Sequence, residues 1–226
     1  MTTDEPGREH AQSHYFDATQ TSDAKSRDFV VTGPWGELHM SAESAVFSSR
    51  GLDKGTEVLL RHVSERGLGD VPPGSLVCDV GCGSGVIACV AAAMLPASTI
   101  HAVDVNSRAR TLTERNARRN GLANVLVRDD PEPEPGATYR LILSNPPIRI
   151  GKQRLHDLLL VWLAHLDDNG LALIVVSKNL GADSLRDWLE SEGYPTDKRS
   201  SSKGFRVLEI RRTAHNTQNI NHPHGQ

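Results

Sequence analysis

The stretch Leu76-Val77-Cys78-Asp79-Val80-Gly81-Cys82-Gly83-Ser84-Gly85 decides the fold. Its first five residues read as a buried strand, apolar apart from Asp79 near the carboxyl end. Glycines follow at alternate positions, Gly81, Gly83 and Gly85, and residues 86–95 (VIACVAAAML) read as a helix of small side chains. Strand, tight turn and helix succeed one another without slack. That is the first βα turn of a doubly wound α/β domain, the place where such folds bind nucleotides. Glycines let the backbone approach a ligand closely, and a helix N-terminus offers N–H groups to an anion.

Outward from this turn the chain alternates. Residues 98–103 and 124–128 predict the next two strands, with a helix over 108–119 between them that Asn106 or Ser107 can cap. Residues 139–144 (YRLILS) predict a fourth strand that runs directly into Asn145-Pro146-Pro147. A helix over 153–166, a turn at 167–170, a strand over 171–176 and a helix over 184–192 follow. Two last strands, near 196–199 and 204–211, have no helix between them and so predict an antiparallel hairpin at one edge. The expected fold is therefore α/β: a doubly wound, mostly parallel, seven-stranded Rossmann-like sheet with an antiparallel edge hairpin. Ahead of it, 28–32 and 37–40 predict a smaller hairpin around a Gly/Pro turn, and 55–66 a helix. The expected organisation is a disordered tail over 1–13, a hairpin and helix capping the site over 14–73, a catalytic core over 74–212, and a disordered tail over 213–226.

The 226 residues suffice for one ordinary domain with a packed core. No run approaches the roughly 18–20 apolar residues of a membrane helix, and the polar start MTTDEPGREHAQSH is unlike a signal peptide. Three cysteines, two of them bordering the glycine turn, fit a reducing compartment, so the expected location is the cytoplasm. A net charge of −3 argues against gripping bare nucleic acid by charge alone. No further ligands gather near Cys78 and Cys82, and no metal is expected.

The spacing G-x-G-x-G differs from the G-x-G-x-x-G of dinucleotide enzymes, and no Gly-Lys-Ser/Thr follows as in a phosphate-binding loop. Two more features fall at carboxyl ends of expected strands. Asp104 ends the second and can accept hydrogen bonds from both hydroxyls of a ribose. Asp129 or Asp130 ends the third and can reach an adenine amino group. After the fourth strand, two prolines make Asn145-Pro146-Pro147 a stiff turn without backbone donors. The Asn side-chain oxygen and the backbone carbonyls then form an acceptor pair for a planar –NH₂ group.

The stretch Asp79-x-Gly81-x-Gly83-x-Gly85 resembles motif I of class I S-adenosylmethionine-dependent methyltransferases. Asn-Pro-Pro in this place resembles motif IV of members acting on planar nitrogens. The longer string Asn145-Pro-Pro-Ile-Arg-Ile-Gly-Lys152, with Gly-Leu-Asp-Lys-Gly upstream, resembles the small methyltransferase domain of ribosomal RNA guanine-N2 methyltransferases of the RsmC/RlmG type, over roughly 14–212. Those relatives often carry a second, degenerate N-terminal copy of the domain; this chain has no room for one and looks like the single-domain members. The resemblance implies S-adenosyl-L-methionine as cofactor and ribosomal RNA or a ribosomal subunit as partner, with neither DNA nor a membrane. It implies that Asp79, Gly81, Gly83 and Gly85 hold the methionine end and Asp104 the ribose, with Asp130 near the adenine. Phe47 and Asp53 match a stretch that borders the cofactor. Asn145, Pro146 and Pro147 would hold the target amine. Ile148 stands where an aromatic residue often stacks on a flipped base, and Arg149 and Lys152 can instead meet RNA phosphates.

Two other functions use the same residues. A methyltransferase acting on a protein glutamine or a small molecule shares the Asn-Pro-Pro logic, and a ribosome-assembly or cofactor-binding module without turnover shares the fold.

Overall fold

The computed structural model describes residues 26–44, 46, 51–146 and 151–212. The tails expected at 1–13 and 213–226 lie outside them. The chain begins with a hairpin of β1 (Ser26–Gly33) and β2 (Gly36–Glu43), longer than the sequence predicted. Helix α1 (Lys54–Arg66) follows, capped by the side chain of Asp53. The main sheet then builds from β3 (Leu76–Val80), α2 (Val86–Met94), β4 (Thr99–Val103), α3 (Ser107–Arg119), β5 (Val125–Val127), β6 (Tyr139–Ser144), α4 (Lys152–Ala164), β7 (Leu166–Ser177), α5 (Ala182–Ser191), β8 (Thr196–Ser202) and β9 (Phe205–Arg211).

The seven strands are ordered β5-β4-β3-β6-β7-β9-β8. The first five run parallel; β9 is antiparallel to both β7 and β8, which is the expected edge hairpin. Parallel strands are covered on both faces, and alternate side chains divide between two cores. Leu141, Leu143, Leu173, Val175 and Val207 pack with α1 and α2. Ile142, Ala172, Ile174, Val176, Leu208 and Ile210 pack with α4 and α5. The small side chains of α2 let it lie close against the sheet: Ala88, Ala91 and Ala92 are buried. From β3 the chain winds outward one way to β4 and β5, and the other way through β6 and β7. The crevice at that reversal, between the carboxyl ends of β3 and β6, receives the glycine turn and Asn145.

Boundaries in the second half of the chain differ from the sequence reading. The turn expected at 167–170 lies inside β7, as an irregularity in the pairing between Tyr139 and Leu141 of β6. The turn chemistry is present, since Asp167 Oδ1 accepts from Asn169 N at 2.9 Å, and the stretch bulges between Leu166 and Leu171, whose pairing with β6 holds both its ends in the sheet. Leu166 pairs with Tyr139 and opens β7, so α4 stops at Ala164 rather than at 166. β8 runs on to Ser202, because its partner β9 overrides the weak strand preference of serine.

The hairpin is fastened to α3 by side-chain amides. Asn116 Oδ1 accepts from Ser41 N at 2.9 Å, and its Nδ2 donates to Ser41 O at 2.9 Å. One turn on, Asn120 does the same to His39 N and His39 O. A helix places residues i and i+4 about 6 Å apart, which matches alternate residues of a strand. Arginines of α3 add to this: Arg115 pairs with Glu43 and Arg119 with Asp28.

Candidate active site

The glycine turn is shaped from beneath. Asp79 is fully buried, and its Oδ2 accepts from Ala88 N at 2.9 Å in the first turn of α2. Gly85, at the N-cap position, has no side chain to cap the helix, so the strand below supplies the acceptor. Asp79 Oδ1 is buried with no partner among the described residues. Burial pushes the Asp79 carboxyl up to about 7; the bond from Ala88 opposes the rise and the nearby Asp104 charge adds to it. The resemblance implies that Asp79 helps to hold the methionine end of the cofactor; the structure sets its side chain directly beneath the glycine turn.

The turn is also held from the sides. Gly83 N donates to Asp104 Oδ2 at 3.0 Å, and Gly81 N and Cys82 N both donate to Val103 O at 2.9 Å. Gly85 has φ +77°, and a Cβ there would stand 2.7 Å from Thr113 Cγ2 and 3.0 Å from Thr113 Cα. Only glycine meets both conditions, the left-handed backbone and the close approach of α3.

Asp104 stands at the end of β4. Its Oδ1 accepts from Asn106 N at 2.8 Å. Burial raises its carboxyl above the ordinary range; the backbone bonds from Asn106 and Gly83, and the charge of Arg110, oppose that rise. Asp104 lines a cavity of about 620 Å³ together with Gly81, Gly83, Val105, Asn106 and Asn145. The far wall is one face of α4: Arg154, Asp157, Leu158 and Val161, at helical spacing. The opposite face of that helix buries Leu159, Trp162 and Leu163. The loop after β5 contributes Pro131 and Glu132. Asp130, the residue expected near an adenine, is exposed, its Oδ1 accepting from Glu132 N, and it does not line the cavity. A second, small cavity adjoins the first at Gly81, Gly83 and Asn145, and is lined by Asp53, Thr56, Cys82, Ser84, Val86 and Ile87.

Asn145 therefore sits where the two cavities meet, and both it and Pro146 are buried. Its Nδ2 donates to Asp53 Oδ2 at 2.7 Å and to Thr56 Oγ1 at 3.0 Å. Lys152 is exposed at the start of α4. Phe47, Pro147, Ile148 and Arg149 lie outside the described residues. Sequence reasoning missed Thr56 and the wall on α4. The signal for the latter was the i, i+3, i+4, i+7 spacing of 154, 157, 158 and 161 in the helix after Asn-Pro-Pro.

This donor set suits S-adenosylmethionine. The volume is that of a small-molecule pocket, typically about 300–1,000 Å³. Asp104, Glu132 and Asp157 favour a cationic ligand, and Val105, Leu158 and Val161 offer apolar surface to a planar base.

The model of the methyltransferase small domain family matches residues 37–209. The chain is 32% identical over 191 residues to the uncharacterized protein YbxB of Bacillus subtilis, covering 83% of this chain and 88% of that one. It is 30% identical over 200 residues to ribosomal RNA small subunit methyltransferase C of Ectopseudomonas mendocina, covering 86% of this chain. It spans 57% of that relative's length, so about half of each such relative has no counterpart here. In fold it resembles the T. thermophilus 16S rRNA N2 methyltransferase RsmC solved with AdoMet and guanosine, at TM-score 0.70 and 21% identity, covering 83% of this chain and 50% of that one. Fold and site define an S-adenosylmethionine-dependent methyltransferase. The chain belongs to the methyltransferase small domain family.

Proposed function

We propose that this chain methylates the exocyclic N2 amine of a guanine in ribosomal RNA, free or within a ribosomal subunit. The observation that carries the reading is Asn145, buried beside Pro146 at the junction of the two cavities, with both hydrogens of its amide already engaged. Its Oδ1 is then the acceptor available to an amine. The names of the curated relatives support the choice of ribosomal RNA, and the name of the solved neighbour, a 16S rRNA N2 methyltransferase in complex with guanosine, supports that of guanine N2.

When bound, S-adenosylmethionine supplies a methyl group already activated by its sulfonium. The residues of this chain position and orient. Asp104 takes the ribose hydroxyls, Gly81, Gly83 and Gly85 admit the methionine end, and Asp79 keeps that turn in shape from below. Glu132 replaces Asp130 at the adenine amino group. Asn145 Oδ1 and the Pro146 carbonyl accept from the target –NH₂, which turns the nitrogen lone pair towards the methyl and stabilises positive charge as it develops there. Holding the two reactants in line supplies up to roughly 7–11 kcal/mol of the barrier in favourable cases. Lys152, with Arg149, meets the RNA backbone. The segment 14–73 caps the site, and the compartment is the cytoplasm, a reading supported by three buried free thiols. Among the described residues no helix is long and apolar enough to cross a membrane.

The test is transfer of tritium from labelled S-adenosylmethionine to ribosomal particles from a strain lacking the protein, with Asn145→Ala as control. Label in guanine of the RNA, absent with the variant, is the expected result. Label in the protein fraction alone would move the assignment to a glutamine methyltransferase. Label in neither fraction would end the ribosomal reading.

A further inference from the structure

We infer that Asp53 and Thr56 are positioning residues that fix which end of the Asn145 amide faces the target amine. The inference rests on the reading of Asn145 as the amine acceptor. A side-chain amide is nearly symmetric in shape, and an asparagine at a reactive position can present either oxygen or nitrogen. Only the oxygen accepts from an –NH₂; the nitrogen would set donor against donor. Some feature of the protein has to decide between the two.

The start of α1 decides it. A carboxylate that caps a helix only accepts hydrogen bonds, so the atom of Asn145 lying 2.7 Å from Asp53 Oδ2 has to be Nδ2. The same nitrogen is 3.0 Å from Thr56 Oγ1, and its two hydrogens are thereby both used. Flipping the amide would place Oδ1 against Asp53 Oδ2, two acceptors at hydrogen-bond distance, inside a site where Asn145 and Thr56 are both buried.

Asp53 is itself fixed. The same Oδ2 accepts from Gly55 N at 2.8 Å and from Thr56 N at 3.1 Å, the first N–H groups of α1. The helix thus orients the carboxylate, and the carboxylate orients the amide. Gly55 completes the arrangement: a Cβ there would stand 2.9 Å from Asn145 Oδ1 and 3.0 Å from Asp53 Oδ2. Gly55 does not have a positive φ, so backbone strain does not account for glycine at this position; the space is taken by the amide. The three residues come from a segment ahead of the whole main sheet, yet they meet the side-chain amide of Asn145.

The test uses Asp53→Gly, Thr56→Val and the conservative exchange Asp53→Asn. Glycine is tolerated at a helix N-cap, so Asp53→Gly keeps α1 while removing the acceptor that Asn145 meets. Label transfer to ribosomal particles is expected to fall roughly 10- to 100-fold in kcat, below the roughly 10²–10³-fold lost when a contact to the reacting group itself is removed. KM for S-adenosylmethionine should change less than about threefold. Thr56→Val should cost less, since the bond to Asp53 persists. Asp53→Asn can set its amide oxygen where Oδ2 stands, capping α1 and still accepting from Asn145, and should keep most of kcat. Full kcat in a folded Asp53→Gly protein would reduce Asp53 to a helix cap.

A second readout needs no RNA. The side-chain amide protons of ¹⁵N-labelled Asn145 should exchange slowly in the wild-type protein with S-adenosylmethionine, and at least tenfold faster in Asp53→Gly. If wild-type protein methylates no ribosomal RNA, the function proposed above fails, while the exchange measurement still decides the clamp. Unchanged amide exchange in a folded Asp53→Gly protein would overturn the inference. A raised KM for the cofactor with kcat intact would overturn it too, making Asp53 a cofactor contact instead.

Discussion

Thr113 and Asn116, one turn apart on α3, hold consecutive carbonyls of the glycine turn. Thr113 Oγ1 donates to Gly83 O at 3.2 Å, and Asn116 Nδ2 donates to Ser84 O at 2.8 Å. Asn116 also binds the backbone of Ser41 in the hairpin, so one buried side chain joins three parts of the chain. Replacing Asn116 with Leu strands the Ser41 N–H and two carbonyls. The expected cost is about 2–4 kcal/mol, since each unsatisfied buried group costs roughly 1–3 kcal/mol and some will find water. A denaturant melt measures it. A Kd for S-adenosylmethionine raised several-fold in the folded fraction is expected as well; an unchanged Kd would separate the hairpin from the turn.

The Asp79 carboxyl gives a pH dependence with a definite sign. Its folded value is raised to about 7, from 3.8. The folded protein therefore keeps a proton that the unfolded chain has lost, and stability falls as pH rises through the interval between those values. Asp104, raised in the same direction, adds to the slope. Chemical denaturation at a series of pH values should show the loss, and Asp79→Asn should flatten it. A cationic ligand favours the ionised form. Affinity for S-adenosylmethionine should accordingly increase as pH rises towards 7 and beyond, with proton release visible in calorimetry across buffers of different ionisation enthalpy.

Gly85→Ala meets a left-handed backbone and the side chain of Thr113 at once. The expected loss is about 2–4 kcal/mol, from conformational strain of order 1–3 kcal/mol together with the clash. Adding Thr113→Ala removes the nearest atom, Cγ2 at 2.7 Å, but leaves Cα at 3.0 Å, so it should restore part of the stability and not all. Thermal unfolding of the single and double variants measures both.

Val161 on α4 is 43% exposed and lines the large cavity. Exposed substitutions away from special features usually alter stability by less than about 0.5 kcal/mol. Val161→Glu should leave the melting temperature almost unmoved and raise KM for S-adenosylmethionine roughly tenfold, since a charge then faces the apolar side of a bound base. Equal loss of stability and binding would show that the α4 wall acts only as packing.

Most of the sheet could be read from the chain because its signals are local. The run at 76–85 contains a strand, its turn and the start of a helix, and strand, turn and helix form there. Asn106 caps α3 through its side chain, as its position implied. What escaped depends on partners far away in sequence. The 167–170 stretch has true turn chemistry, but the pairing of Leu166 and Leu171 with β6 encloses it within one strand as a bulge. Nothing local distinguishes Asp130 from Glu132; the path of the loop after β5 brings Pro131 and Glu132 to the cavity. Asn116 and Asn120 look like ordinary polar helix residues until β2 lies beside them. Asp79 stood out as an acid near the glycines, while its place beneath the turn follows from Gly85 being unable to cap α2.

The bond between Asp53 and Asn145 joins positions 92 residues apart. Everything that lines the glycine turn and its acid, from β3 to β4, is synthesised between them. The α4 wall of the cofactor cavity is made after both, so the cavity closes only once the amine acceptor has been synthesised, and the acceptor finds its orientation on a helix made long beforehand. Loading and transfer therefore mature together. A chain truncated before β6 would lack the acceptor and the α4 wall alike.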